Sequence, residues 1–198
     1  MATLTFQEVT TASWPDFEAL FDAKGCPHFC YCMVWRAIGA ERKLKGAARK
    51  ASVKLRVDGG TPIGLLGYLD GAPVAWCSIA PRPTYRRLGG LEVEGERPED
   101  VWSLACFFIK REHRGRGLTT ELIAAAITQA KNHGARVLEA YPVDHDAPSY
   151  RFMGFTKTFE AAGFVEVARA GYRRHVMRLG IAEISVAGQS ELLPWAKN

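Results

Sequence analysis

The stretch Val101-Trp-Ser-Leu-Ala-Cys-Phe-Phe-Ile-Lys110 runs directly into Arg111-Glu-His-Arg-Gly-Arg-Gly-Leu-Thr-Thr120, and the junction between the two decides the fold. Only Ser103 interrupts the apolar run before Lys110, as expected of a strand buried on both faces at the centre of a sheet. Gly115 and Gly117 then allow a tight turn. Leu118, Leu122, Ile123, Ala126, Ile127 and Ala130 recur at helical spacing, and Gly134 is placed to close that helix as its C′ residue. Residues 136–141 read as the next strand. Strand, helix and strand across 101–141 therefore form a right-handed βαβ unit.

Outward from this unit the pattern stays mixed. Residues 62–69 and 73–80 read as two strands joined by Asp70-Gly71, a dipeptide that tolerates the positive φ angles of a type I′ hairpin turn. Residues 3–9 alternate as a first strand, and Ser13 stands before a short helix running to about Asp22. Residues 41–57 read as a helix with Leu44, Ala48, Ala51 and Leu55 on its apolar face and Arg42, Lys45, Arg49 and Arg56 on another. Residues 82–100, rich in Pro, Gly and charge, read as a loop with one helical turn. A helix over 156–162 and strands over 164–169 and 173–180 complete an α/β domain. Its expected core is a mixed sheet of about six or seven strands with helices on both faces. The domain is assigned to residues 3–181, and residues 182–198, with Leu192, Leu193 and Trp195, to a C-terminal tail.

Composition sets the outer limits. The chain has 198 residues, 47% hydrophobic and 24% charged, which fits a globular domain and excludes disordered and fibrous classes. A domain this long buries roughly 70% of its unfolded surface and folds without disulfides or metal. Its longest uncharged runs reach only eleven residues, as in Gly71 to Pro81, short of the roughly 20 a membrane span needs. The N-terminal segment lacks a basic and an apolar signal region, so the expected location is the cytoplasm. Five cysteines fit reduced thiols better than a disulfide framework. The net charge of +5 suits a polyanionic partner without choosing between nucleic acid and a phosphorylated cofactor.

The 111–120 segment narrows that choice. Two glycines let backbone N–H groups approach a ligand, and a helix N-terminus adds partial positive charge. Flanked by Arg111, Arg114 and Arg116, this is a site for a phosphate or pyrophosphate. A strand-to-helix turn with exposed arginines is the plainer alternative. No Gly-Lys-Ser/Thr follows, so it is not a Walker loop, and the third glycine of the dinucleotide fingerprint is missing.

Arg114-Gly-Arg-Gly117-Leu-Thr119 resembles the cofactor motif of the GNAT acyl-coenzyme A-dependent N-acetyltransferases, with Thr119 departing from the usual small residue. Cys106-Phe-Phe-Ile109 is similar to the strand whose backbone pairs with the pantetheine arm in that family, and Phe159-Glu-Ala-Ala-Gly-Phe164 to its Tyr-x-x-x-Gly-Phe segment. Cys30-Tyr-Cys-Met-Val-Trp-Arg36, Ala75 to Arg82 and Glu139 to Asp144 resemble one bacterial subgroup of the family. The resemblance covers residues 3–181. It implies acetyl-coenzyme A as cosubstrate, bound by Phe107, Phe108, Ile109, Arg114, Gly115, Arg116, Gly117, Leu118 and Thr119. It further implies that N–H groups near Phe108 and Ile109 hold the acetyl oxygen while an amine attacks directly in a ternary complex.

The attacking amine needs a proton acceptor. Glu139 is the first candidate for the base, because Val137, Glu139 and Tyr141 share one strand face beside the cofactor strand; a salt-bridged or solvated Glu139 is the alternative. Phe159 occupies the position of the family's proton-donating tyrosine, leaving Tyr150 or Tyr141 as candidate acids. A thiol of pKa near ~8.5 also leaves without help. Trp35, Trp76, Trp102 and Tyr31 are candidates to frame an acceptor pocket, with core packing as the alternative. Cys26, His28, Cys30 and Cys32 have the wrong spacing for a zinc site, since Cys30 and Cys32 are one residue apart, so no metal is expected. The basic 42–56 segment reads as a solvated helix face, and aromatic residues do not alternate with basic ones as in RNA-binding sheets. The rival function is a non-catalytic acetyl-coenzyme A sensor or a basic nucleic-acid-binding module. The acceptor amine and the oligomeric state, a homodimer included, stay open.

Overall fold

The computed structural model describes residues 3–27 and 29–181; His28 and the expected tail over 182–198 lie outside the described residues. The elements are β1 (Leu4–Glu8), α1 (Trp14–Asp22), α2 (Gly46–Asp58), β2 (Leu65–Leu69), β3 (Ala72–Pro81), β4 (Val101–Ile109), α3 (Leu118–Asn132), β5 (Val137–Ala140), α4 (Thr156–Ala161), β6 (Val165–Ala170) and β7 (Arg174–Gly180). The seven strands form one sheet in the order β1-β2-β3-β4-β5-β7-β6. Only β4 and β5 pair in parallel; the other pairs are antiparallel. This is the expected mixed sheet, with the 101–141 βαβ unit at its centre. No described helix is long and apolar enough to cross a membrane.

The helices cover both faces. On one face α3 and α4 pack Leu122, Ile123, Ala126 and Phe159 against Leu104, Phe107 and Leu138. On the other, α1 packs Phe17, Leu20 and Phe21 around Trp76. A third cluster on this second face joins Ala80, Tyr85, Ala105, Tyr141 and Met153 beneath the 82–100 loop.

The hairpin turn forms as expected, with φ of 50° at Asp70 and 80° at Gly71. The helix expected over 41–57 is corrected. A 3-10 turn at Gly39–Lys43 precedes α2, and Leu44 and Lys45 break the two apart. Its buried face is Ser52, Val53 and Val57, whereas Leu55 is 71% exposed. Polar contacts set this rotation: Arg56 bonds Glu41, and Lys50 bonds Glu18 and Asp22 of α1. They hold the helix by the side that the apolar count assigned to solvent.

A β-bulge in the central pair has consequences for the site. Ser78 pairs with Cys106 but Ile79 pairs with Leu104, so Ala105 is an extra residue on β4. Trp102 and Leu104 face α3, and past the bulge Phe107 and Ile109 do so too. Cys106 and Phe108 turn to the α1 side.

Candidate active site

The parallel pair β4–β5 is short. It runs from Val101 opposite Val137 to Leu104 opposite Ala140, while β4 continues to Ile109 paired only with β3. Beyond Ala140 the chain turns away, and Val143 bridges to Phe155 and Arg174 instead. From Ala105 to Ile109 the second edge of β4 therefore has no strand partner among the described residues. Lys110 N–H donates to Val74 C=O, so ladder alternation turns the N–H of Phe108 toward β3 and those of Phe107 and Ile109 toward the open edge. Of the two N–H groups expected near the acetyl oxygen, that of Ile109 faces the opening and that of Phe108 does not.

This open edge leads straight into the glycine turn. Arg114 Nε donates to Ile109 C=O at 2.9 Å, folding the turn back over the end of the strand. Gly117 is the N-cap of α3 with φ of 77°, a left-handed conformation that costs glycine nothing. The first N–H groups of a helix have no partner within it, and those of Leu118 and Thr119 head a 15-residue helix here. A Cβ built at Gly115 or Gly117 would meet nothing within 4 Å, so these glycines line open space. Arg114 and Arg116 are exposed beside it. The structure thus brings Phe107, Ile109, Arg114, Gly115, Arg116, Gly117, Leu118 and Thr119 into one continuous strand-edge and helix-end surface. Unpaired N–H groups, positive charge and lack of steric obstruction suit a ligand with an amide-bearing arm and a pyrophosphate.

The catalytic candidates occupy the α1-side face, and they differ in availability. Glu139 is corrected as a free base. It is fully buried, and both of its oxygens are engaged: Oε1 by Tyr141 Oη at 2.5 Å, Oε2 by Arg178 Nε at 2.7 Å and Leu91 N at 3.1 Å. Arg178, itself fully buried, also donates to both oxygens of Glu96. Gly90 lies so close that a Cβ there would fall 1.8 Å from Glu139 Oε1. Nothing local in the sequence marks this network except Arg178, a charge set between Met177 and Leu179 in an apolar strand.

Tyr141 is fully buried between Glu139 and Ser103 Oγ, which lies 3.0 Å from its hydroxyl. Burial and the adjacent Glu139 carboxylate push its pKa well above the ordinary value, so it stands as a neutral phenol. Tyr150, by contrast, is 36% exposed, with φ of 63°, and leads into the Arg151–Met153 turn against β4. Phe159 is core: it packs 5.1 Å from Phe164 and 6.1 Å from Phe107. Trp76, Trp102 and Tyr31 are also buried, leaving Trp35 alone of the four aromatics half-exposed near the opening.

A cleft of about 810 Å³ lies under the 82–100 loop, lined by Arg82, Tyr85, Arg86, Leu88, Leu91 and Tyr141 among others. The cysteines are free thiols. Cys32 accepts a hydrogen bond from Trp76 Nε1 at 3.1 Å; contacts from Cys106, opposed by burial and aided by Arg36, lower its pKa to about 6.

Residues 10–155 match the family model described as "Acetyltransferase (GNAT) family". No curated protein matches the chain significantly. Among solved structures, the fold is similar to an aminoglycoside acetyltransferase in complex with coenzyme A, at TM-score 0.57 and 14% identity over 90% of this chain and 95% of that one. It is likewise similar to a GNAT family N-acetyltransferase from Escherichia coli in complex with coenzyme A, at TM-score 0.55 and 16% identity over 92% and 83%. A putative acetyltransferase from Salmonella typhimurium with acetyl-coenzyme A matches at TM-score 0.53 and 17% identity over 94% and 98%.

Proposed function

The chain belongs to the GNAT acetyltransferase family, and on that premise we propose that it moves the acetyl group of acetyl-coenzyme A to an amine by direct attack in a ternary complex. One observation carries the reading: the open edge of β4 ends in the glycine turn that exposes the N-terminus of α3. Acetyl-coenzyme A supplies an activated thioester. The outward N–H and C=O groups of Phe107 bind its amide-bearing arm. The N–H groups of Leu118 and Thr119, with Arg114 and Arg116, hold its phosphates. The Ile109 N–H holds the acetyl oxygen and stabilises the negative charge that gathers there as nitrogen attacks.

Glu139 takes no proton in this scheme. Both oxygens already accept bonds and its side chain is sealed from the cleft, so its part is to anchor β5 and the 82–100 loop. The amine is deprotonated by water, the C–N bond forms, the C–S bond breaks, and the thiolate is protonated. Tyr150, whose hydroxyl has no described hydrogen-bond partner, is assigned the donation to sulfur.

Thiol release from acetyl-coenzyme A across a panel of primary amines tests the function. Amine-dependent release is expected, together with a fall in kcat of up to roughly 10²-fold in Tyr150→Phe. An unchanged kcat in that variant removes Tyr150 from the scheme. Absence of both coenzyme A binding and thiol release overturns the function itself.

A further inference from the structure

Trp35 carries two arginines. The guanidinium carbon of Arg86 lies 4.6 Å from its ring centroid and that of Arg174 lies 4.9 Å away. Arg174 is also 5.4 Å from the ring of Tyr150, which packs 6.3 Å from Trp35. Cation–π attraction is worth about 0.5–1 kcal/mol at an exposed site, and two like charges on one indole oppose it. A carboxylate is the usual remedy, yet several carboxylates of the neighbouring segments are committed elsewhere among the described residues. Glu139 and Glu96 serve Arg178 and Arg82, Glu92 serves Arg87, and Glu166 and Asp144 serve His175.

Among the described residues neither Arg86 nor Arg174 has an acidic partner. Arg174 Nη1 donates to the Leu88 carbonyl at 2.8 Å. Arg86 Nε and Trp35 Nε1 are both buried without a hydrogen-bond partner. Burial, aided by Arg86, presses the Arg174 pKa below its ordinary value, against the opposite pull of Tyr150 and Tyr141. The geometry is that of an uncompensated anion site.

Its position identifies the anion's owner. Trp35 packs against the cluster of Ala105, Tyr141 and Met153, and Ala105 is the first β4 residue past the last pair with β5. The site therefore borders the opening on the α1-side face. The proposed phosphate site at the N-terminus of α3 belongs to the helix on the opposite face. A charge held at Arg86 and Arg174 thus belongs to the acceptor.

We propose that Arg86 and Arg174 hold a carboxylate of the acceptor against Trp35, so that the substrate is a small amine of the amino-acid class. This rests on the acetyl-transfer reading above, but its binding arm stands apart from turnover. The planar forks of both arginines suit a carboxylate.

The test compares the twenty amino acids with their primary amides and decarboxylated amines as acceptors. In parallel, calorimetry measures binding of the N-acetylated acids and their amides. At least one acid should exceed its amide by about tenfold or more in kcat/KM and in affinity, since a site built for a charge rejects the analogue lacking it. Arg86→Gln and Arg174→Gln should erase the preference, Arg174→Lys should restore it in part, and Arg87→Gln on the exposed rim should keep it. Thermal melts confirm that each variant is folded; if Arg174→Gln is not, Arg174→Lys and Arg86→Gln decide. Equal treatment of acid and amide, or a preference that survives both Arg→Gln changes, overturns the carboxylate site while leaving acetyl transfer intact. Binding of an acid without any thiol release keeps the site and fails the acetyl-transfer reading. No affinity for any acid overturns the inference outright.

Discussion

Arg178 Nε lies 2.7 Å from Glu139 Oε2, and both side chains are fully buried. This pair joins β5 to β7 and, through Glu96 and the backbone of Leu91, pins the 82–100 loop over the α1-side face. Removing one partner of a buried pair leaves the other charge uncompensated, at a cost of about 3–5 kcal/mol. Glu96 retains part of the compensation, so Glu139→Gln should lose roughly 3 kcal/mol in denaturant unfolding. The pH dependence of kcat in the folded fraction should keep its shape. A shifted or flattened profile at unchanged stability would return Glu139 to the role of base.

Gly90 tests the same packing from the other side. A methyl group there cannot coexist with Glu139 Oε1, so Gly90→Ala must displace the carboxylate or the loop. Overpacking of this kind costs about 1–3 kcal/mol, which for a domain of this size lowers Tm by about 2–4 °C per kcal/mol. Differential scanning calorimetry showing an unchanged Tm would mean that Gly90 is not held against Glu139.

Gly117→Glu separates cofactor binding from folding. The site has room for a Cβ, and the left-handed φ costs an L-residue about 1–2 kcal/mol. A carboxylate at the N-cap of α3 also competes for the N–H groups proposed to hold the phosphates. Coenzyme A affinity by calorimetry should fall at least about tenfold in a folded protein. Unchanged affinity would remove the α3 N-terminus from the cofactor site.

Phe159→Tyr places a hydroxyl in a fully buried apolar cluster against Phe164 and Phe107. An unpaired buried hydroxyl costs about 1–3 kcal/mol in proteins. The variant should melt lower and gain no rate. A large gain in thiol release would show that the ring reaches the reacting sulfur.

The Glu41–Arg56 contact gives a pH signature. Hydrogen bonds from Arg56, opposed by partial burial and joined by Ser52, lower the Glu41 pKa from 4.5 to about 2. The carboxylate form is the one stabilised, so the contribution is full above about pH 4.5, declines as pH falls, and is gone below about 2. Glu41→Gln should lower Tm by a few degrees at pH 7, in line with about 1 kcal/mol for such a pair, and converge with the parent near pH 2. A Tm difference independent of pH would assign the effect to packing.

What the sequence determined was local. The apolar run of β4, broken only by Ser103, suits the centre of a sheet. Gly115 and Gly117 permit the turn that bares the start of α3, and Asp70-Gly71 takes the positive φ angles of its hairpin. Each of these depends on neighbours within a few residues, so alternation, helical spacing and turn chemistry suffice. The tertiary structure decided what depends on distant partners. The bulge at Ala105 exchanges the faces of Cys106 to Ile109, because β3 fixes the register. Val53 and Val57 rather than Leu55 enter the core, because Glu18, Asp22 and Glu41 hold the other residues of α2. Glu139 is an anchor, because Arg178 and Leu91, 39 and 48 positions away, meet its oxygens in the fold. A carboxylate alternating in a strand looks the same in sequence whether water or a guanidinium faces it, and burial beside an opposite charge is what separates a base from an ion pair.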